Sequence, residues 1–297
     1  MGSSHPEPIP VIAFQKRSEV RLELEVLSLA KLLKRHSQQE LTRPQKIAFF
    51  HLIAVTMGPY RHSVDFHTVQ ADSGDLLLVA PGQIQSFDPN PDPGLQGTVV
   101  VFTEAFFVQD AANRRILGSP SLFGSWGGRI CLQTQSTKPA QAAVEALAAE
   151  YRSGDKDDLR AEILRSRLNT TLLLADRAAR LTEHWISNDD FRDYARFRDE
   201  VDRRFARTRK VTDYAVALGL SEKVLNRLTQ QAQNLDAKEF IDARVVLEIR
   251  RLLVHTSLSV KEIAAAVGFG EPTNLVKFYR HRTGTTPQVF RGEWGNT

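Results

Sequence analysis

Two short polar sets, Lys223, Asn226 and Arg227, then Thr273, Asn274 and Lys277, are spaced so that each lies along one side of a helix. In the first stretch Val224, Leu225 and Leu228 supply the apolar face, and in the second Leu275, Phe278 and Tyr279 do so, which leaves the polar residues pointing away from a core. Arginine and lysine can reach guanine O6 and N7, and asparagine can pair with adenine N6 and N7. The chemistry on offer is hydrogen bonding to base edges, with solvation or phosphate contact as the plainer alternative. Arg209 and Lys210, clustered with Arg203, Arg204 and Arg207 just upstream, suit phosphate contacts, which supply affinity and salt dependence without sequence readout. Ser221 and Arg280 complete the candidate contacts with double-stranded DNA.

The elements that must carry these residues occur twice. Tyr214 to Leu220 aligns with Ile263 to Phe269 at an offset of 49, and Leu225 to Leu228 aligns with Leu275 to Phe278 at an offset of 50. Each copy reads as an apolar helix containing an alanine, a glycine that ends it, a polar start and a second helix. This is the shape of a helix-turn-helix. Gly219 and Gly268 fall where a tight turn needs positive φ, which costs glycine almost nothing. Ala215 and Ala264, four residues earlier, allow the second helix to approach closely. Ser221 offers an N-cap hydroxyl, and Pro272 suits a first helical turn, where its missing N–H costs no intrahelical bond. The extra residue of the second copy falls in the turn before its recognition helix. The copies are therefore expected to read different half-sites, with the more cationic first copy contributing more specificity.

The stretch 260–291, with its alanine-rich helix, Gly268-Phe269, Pro272-Thr273-Asn274, Lys277, Phe278-Tyr279, Arg280 and the closing Gly284-Thr285-Thr286-Pro287, resembles the signature of the AraC/XylS family of bacterial transcription regulators. The first copy and the helix after it resemble that family's other helix-turn-helix and linker. Clear over roughly the last hundred residues, the resemblance implies base contacts at Lys223, Asn226 and Arg227, RNA polymerase as a partner and a small-molecule effector. Between the copies, Phe240, Ile241, Val245, Val246, Ile249 and Leu253 recur at helical spacing over 238–254, a spacer on the order of 25 Å long. Two recognition helices so joined can enter successive major grooves roughly 34 Å apart.

Charge agrees with this division. From Asp189 onward there are 19 Lys/Arg against 15 Asp/Glu, whereas residues 1–188 balance at 20 and 20, so the whole excess of +4 lies in the helix-turn-helix half. The chain has 297 residues, 42% of them hydrophobic and 25% charged, which suits a soluble protein of two domains. No apolar run approaches the ~18 residues of a membrane span, and the first residues lack a signal-peptide pattern. A single cysteine, Cys131, excludes a disulfide framework and reads as a small buried hydrophobe. The expected location is cytoplasmic.

Upstream, 47–57, 62–70, 74–87 and 97–102 are short β-type runs separated by Gly and Pro turns, as in a small barrel or jelly roll. The phrase Gly74 to Gln83 is similar to the strand and turn of the cupin sensing domain of many AraC-type regulators. The histidines His51, His62 and His67 lack the paired spacing of metal cupins, and Gln85 stands where related domains carry a histidine. Glutamine is a poor transition-metal ligand, so no metal or cofactor is expected. The effector pocket is expected to involve His51, His67, Gln83, Gln85 and Phe102, with Tyr60 or Arg61 at its mouth. Two helical stretches follow, and Leu164, Leu168, Leu172, Ala175 and Ala179 form a stripe that either packs on the same chain's strands or forms a homodimer seam.

The expected fold is α+β: a cupin-like β-barrel sensor over 1–135, a helical connector over 136–184, and an all-α DNA-binding domain over 185–297. Its two helix-turn-helix motifs fall at about 211–231 and 260–282. The function expected is effector-responsive transcription regulation, as an activator or in a dual role, with no catalytic residues. Two alternatives stay open. A metal-dependent cupin enzyme fused to a DNA-binding module would carry stoichiometric metal, and an effector-free structural DNA binder would show sequence-independent affinity.

Overall fold

The structure is a computed structural model and describes residues 10–14, 22–35, 37–65, 67–88, 90–119, 122–123, 131–132, 137–153, 157–182 and 188–294. These form two compact units, Val11–Thr182 and, downstream, 188–294. The side chain of Cys131 lies outside the described residues.

The first unit runs β1 (Val11–Ile12), β2 (Leu24–Ser28), α1 (Leu29–Arg35), α2 (Gln38–Thr42), β3 (Gln45–Ile47), β4 (Phe50–Met57), β5 (Pro59–Val64), β6 (His67–Asp72), β7 (Leu76–Val79), β8 (Ile84–Phe87), β9 (Gln96–Phe102), α3 (Glu104–Phe107), α4 (Ala111–Leu117), β10 (Cys131–Leu132), α5 (Lys138–Ser153) and α6 (Arg160–Thr182). Two five-stranded sheets result, ordered β1-β3-β8-β5-β6 and β10-β7-β4-β9-β2. Successive side chains of a strand alternate between faces. In β4, Ile53 and Val55 enter the interior between the sheets, while Phe50, Leu52 and Ala54 face outward. That outer face is not wet: α3 to α6 cover it, and Leu164, Leu168, Leu172, Ala175 and Ala179 of α6 are buried there with Val144 and Leu147 of α5. The stripe on α6 thus takes the intrachain alternative, and α5 and α6 belong to the core of this unit.

The second unit contains α7 (Asn188–Arg204), α8 (Val211–Leu218), α9 (Glu222–Gln233), α10 (Ala237–His255), α11 (Val260–Ala266), α12 (Pro272–Thr283) and α13 (Pro287–Trp294). A capping box starts α10: the Asp236 carboxylate accepts from the Glu239 backbone N–H, and Glu239 accepts in return from that of Asp236. At 19 residues α10 is about 28 Å long. It is the shared wall of the unit, touching α7, α8 and α9 towards one hairpin and α11, α12 and α13 towards the other. Phe240 stacks obliquely on Tyr194 and Phe197 of α7, and Phe197 meets Tyr214 of α8 edge-on.

Candidate nucleic-acid interface

Both hairpins turn on the same backbone device. Gly219 has φ 67° and Gly268 φ 78°, the left-handed region. Beyond each glycine an N–H reaches back five residues, from Leu220 to the Ala215 carbonyl at 3.0 Å and from Phe269 to that of Ala264 at 2.8 Å, closing the helix end as a Schellman turn does. Ala215 and Ala264 are buried. The following helices start differently. Ser221 caps α9, its hydroxyl accepting from the Val224 N–H, whereas α12 begins at Pro272 after Glu271, which makes no side-chain cap. The extra residue of the second copy is thus accommodated between Phe269 and Glu271.

Leu225 and Leu228 bury one face of α9, and Leu275 and Tyr279 bury one face of α12. Lys223, Asn226 and Arg227 are exposed, and so are Thr273, Asn274, Lys277 and Arg280. The two faces differ in their commitments. Arg227 donates from both terminal nitrogens to the Asp190 carboxylate of α7, each bond 2.7 Å long. The Asn226 Oδ1 accepts from the Ala237 N–H at 2.8 Å and so caps the start of α10. A bidentate adenine pairing would need that same oxygen. Lys223, Thr273, Asn274, Lys277 and Arg280 make no side-chain hydrogen bond or ion pair among the described residues.

Arg209, expected to contact phosphate, is engaged within the chain. Its guanidinium lies 3.7 Å from the centre of the Phe269 ring and donates to the Gly268 carbonyl at 3.1 Å. Burial lowers its pKa. It ties the segment ahead of α8 to the turn of the second hairpin, next to the point where the Ala206 carbonyl packs against Gly268. Lys210 stands at the N-cap of α8 with its side chain exposed.

In the first unit, a buried polar group sits in the interior between the sheets. The Gln85 Oε1 lies 3.1 Å from His51 Nδ1 and 3.2 Å from His62 Nε2, and the Tyr60 hydroxyl lies 2.9 Å from His62 Nδ1. Because an amide oxygen only accepts, His51 carries its proton on Nδ1 and His62 on Nε2, and Tyr60 donates to His62 Nδ1. Burial lowers the pKa of His51 to about 4 and, with His51 beside it, that of His62 to about 3, so both rings are neutral. Phe87 packs against both. The other expected pocket residues lie elsewhere. Arg61 is exposed, because its strand alternates and puts Tyr60, His62 and Val64 inward. His67 is exposed at the turn end of β6. Gln83 is buried, but its amide locks a turn, donating to Asp65 at 2.8 Å and accepting from the Ala80 N–H at 2.7 Å. Phe102 faces the helical layer, stacked on Phe50 at 5.1 Å. Among the described residues no three His, Cys, Asp or Glu side chains gather as a metal site would require, and no helix is long and apolar enough to cross a membrane.

Residues 31–168 match the family description "AraC-like ligand binding domain", and residues 214–293 match "Helix-turn-helix domain". The chain belongs to the AraC/XylS family. Among curated relatives it is similar to the HTH-type transcriptional activator RhaR of Cronobacter sakazakii, 30% identical over 76 residues, which are 26% of this chain and 27% of that one. It is also similar to the Msm operon regulatory protein of Streptococcus mutans, 32% identical over 87 residues, 29% of this chain and 31% of that one. The chain thus matches under a third of the length of these relatives. ToxT from Vibrio cholerae O395 aligns over 93% of this chain and 99% of its own, at 10% identity and a TM-score of 0.43.

Three residues of this AraC-type chain stand outside the expected contact and pocket sets. Gln230, exposed on α9 one turn beyond Asn226, carries the same helical signal as its neighbours. His62 had a signal too, the alternation of β5. Asp190 had none, since only the packing of α7 brings it to Arg227.

Proposed function

We propose that this chain is a sequence-specific, DNA-binding transcription activator acting in the cytoplasm, with α9 and α12 entering successive major grooves on one face of the duplex. One observation carries this reading: two hairpins with the same glycine turn share α10 as a wall, each presenting an exposed polar face. Lys223, Asn226, Arg227 and Gln230 form the first reading set, and Thr273, Asn274, Lys277 and Arg280 the second. Ser221 holds the start of α9, and Lys210 supplies a phosphate contact.

The first unit is proposed to sense a small organic effector through His51, Tyr60, His62 and Gln85. Two neutral imidazoles, an amide and a hydroxyl suit an uncharged polar ligand, since a buried ion would find no countercharge among these four groups. The effector acts by binding one of two states more tightly, changing promoter occupancy or contact with RNA polymerase. A homodimer through the helical connector would use the exposed Ile163 and Leu173 rather than the buried stripe on α6.

Footprinting of the full-length chain on sites selected from genomic DNA tests the reading. Protection of an asymmetric site about two helical turns long is expected. Protection of a single turn would sink the two-groove arrangement, and uniform protection of all DNA would favour a structural binder.

A further inference from the structure

We propose that Asp190 is a specificity-determining residue that competes with guanine for Arg227. The inference rests on α9 being a DNA-reading helix. The carboxylate of Asp190 takes both terminal nitrogens of Arg227, Nη1 to Oδ2 and Nη2 to Oδ1, each at 2.7 Å. Asp190 is 15% exposed and Arg227 42%, so the pair lies at the rim of the unit with the guanidinium outermost.

Two acceptors side by side, meeting two parallel donors, is the pattern that guanine O6 and N7 present in the major groove. A guanidinium cannot give the same two donors to both. Arg227 reads guanine end-on only by leaving Asp190. The place of Asp190 in the first turn of α7 supports its negative charge in either arrangement, because the peptide dipoles at a helix start favour a carboxylate. The ion pair therefore sets a threshold. At a site offering guanine at the right position the exchange is matched donor for acceptor, and elsewhere the pair stays closed and Arg227 adds nothing. Lys223, one turn earlier, has no such partner among the described residues and needs no such exchange.

The test selects duplex DNA from a randomised pool with the full-length chain, then measures affinity for the selected site and each of its single-base variants. For Asp190→Asn, a gain of about tenfold is expected at sites with guanine at one position, with little change at the others. Arg227→Ala should lose about tenfold at the guanine site and nothing at sites lacking that guanine. The double variant should behave as Arg227→Ala alone. An equal gain of Asp190→Asn at every sequence would reduce Asp190 to general charge repulsion and overturn the proposal, as would loss of the guanine preference, which would make Asp190 a support for Arg227. If Asp190→Asn fails to fold, Asp190→Ser takes its place against the same expectations, and a loss uniform over all sequences in Arg227→Ala would make Arg227 a phosphate contact and overturn the proposal. Failure of the wild-type chain to select any sequence would overturn the DNA-reading function, and this proposal with it.

Discussion

The two helical hairpins share a turn and differ in what holds it. At Gly219 there is open space where a β-carbon would go, whereas at Gly268 a β-carbon would lie 1.8 Å from the Ala206 carbonyl oxygen. The second hairpin is gripped further: Arg209 stacks on Phe269, the buried Asp242 of α10 pairs with Arg282 at the end of α12, and Arg291 of α13 donates to the Leu253 and Leu258 carbonyls. The reading faces show the opposite order. Arg227 and Asn226 of the first hairpin are engaged within the chain, while Thr273, Asn274 and Lys277 of the second are not. Rigidity of the backbone and readiness of the side chains are therefore set by different contacts. More cationic reach in the first copy does not by itself mean more readout, because half of that cationic charge is spent on Asp190.

The contrast between the turns is the easiest part to break. Gly268→Ala combines positive φ with a clash against backbone, which cannot swing aside as a side-chain end could. A loss of more than about 4 kcal/mol is expected for the second unit, read by denaturant unfolding. Gly219→Ala meets only the left-handed strain and should cost about 1 kcal/mol. Equal costs at the two sites would mean that Ala206 gives way and the second hairpin is no more tightly held than the first.

Between these extremes stands Arg209→Ala. It removes a stacked cation and a hydrogen bond that join the segment before α8 to the turn of the second hairpin, so about 2 kcal/mol of stability should go. Lys210→Ala should leave stability within about 0.5 kcal/mol. It should instead weaken DNA binding at all sequences and reduce the salt dependence by about one phosphate contact. If the two variants exchanged these effects, the clamp would be misassigned.

This pair of neighbours also shows how far the sequence was legible. The α+β class and both turns could be read, because only glycine takes the left-handed position cheaply and the apolar period of α9 and α12 marks their buried sides. Arg209 next to Lys210 looks like one basic cluster, and only the fold that brings 206–209 against Gly268 separates a clamp from a solvated lysine. Strand phase failed for a related reason. Every residue of Leu76–Val79 is buried, since that sheet has a second sheet on one side and helices on the other. Where both faces are apolar, alternation carries no signal, and Phe102 was expected inside the sandwich although Val101 is the residue that points there. In β5 the outer face is polar, so the alternation of Tyr60, His62 and Val64 against Arg61 and Ser63 was present in the sequence.

The smallest expected effect on stability separates the two asparagines. Asn226 and Asn274 are both exposed on recognition helices, yet Asn226 accepts from the Ala237 N–H, one of the donors that a helix start leaves without an intrahelical partner. Asn226→Ala should cost about 1 kcal/mol in unfolding experiments, as the loss of a helix cap does. Asn274 has no such bond, so Asn274→Ala should leave stability unchanged within about 0.5 kcal/mol. Its loss should appear at one base pair of the selected site, as about 1 to 3 kcal/mol less discrimination for adenine. If Asn274→Ala left every base preference intact while Asn226→Ala altered one, the roles of the two asparagines would be reversed, and Asn226 would give up the Ala237 N–H for an adenine on binding, as Arg227 gives up Asp190 for guanine.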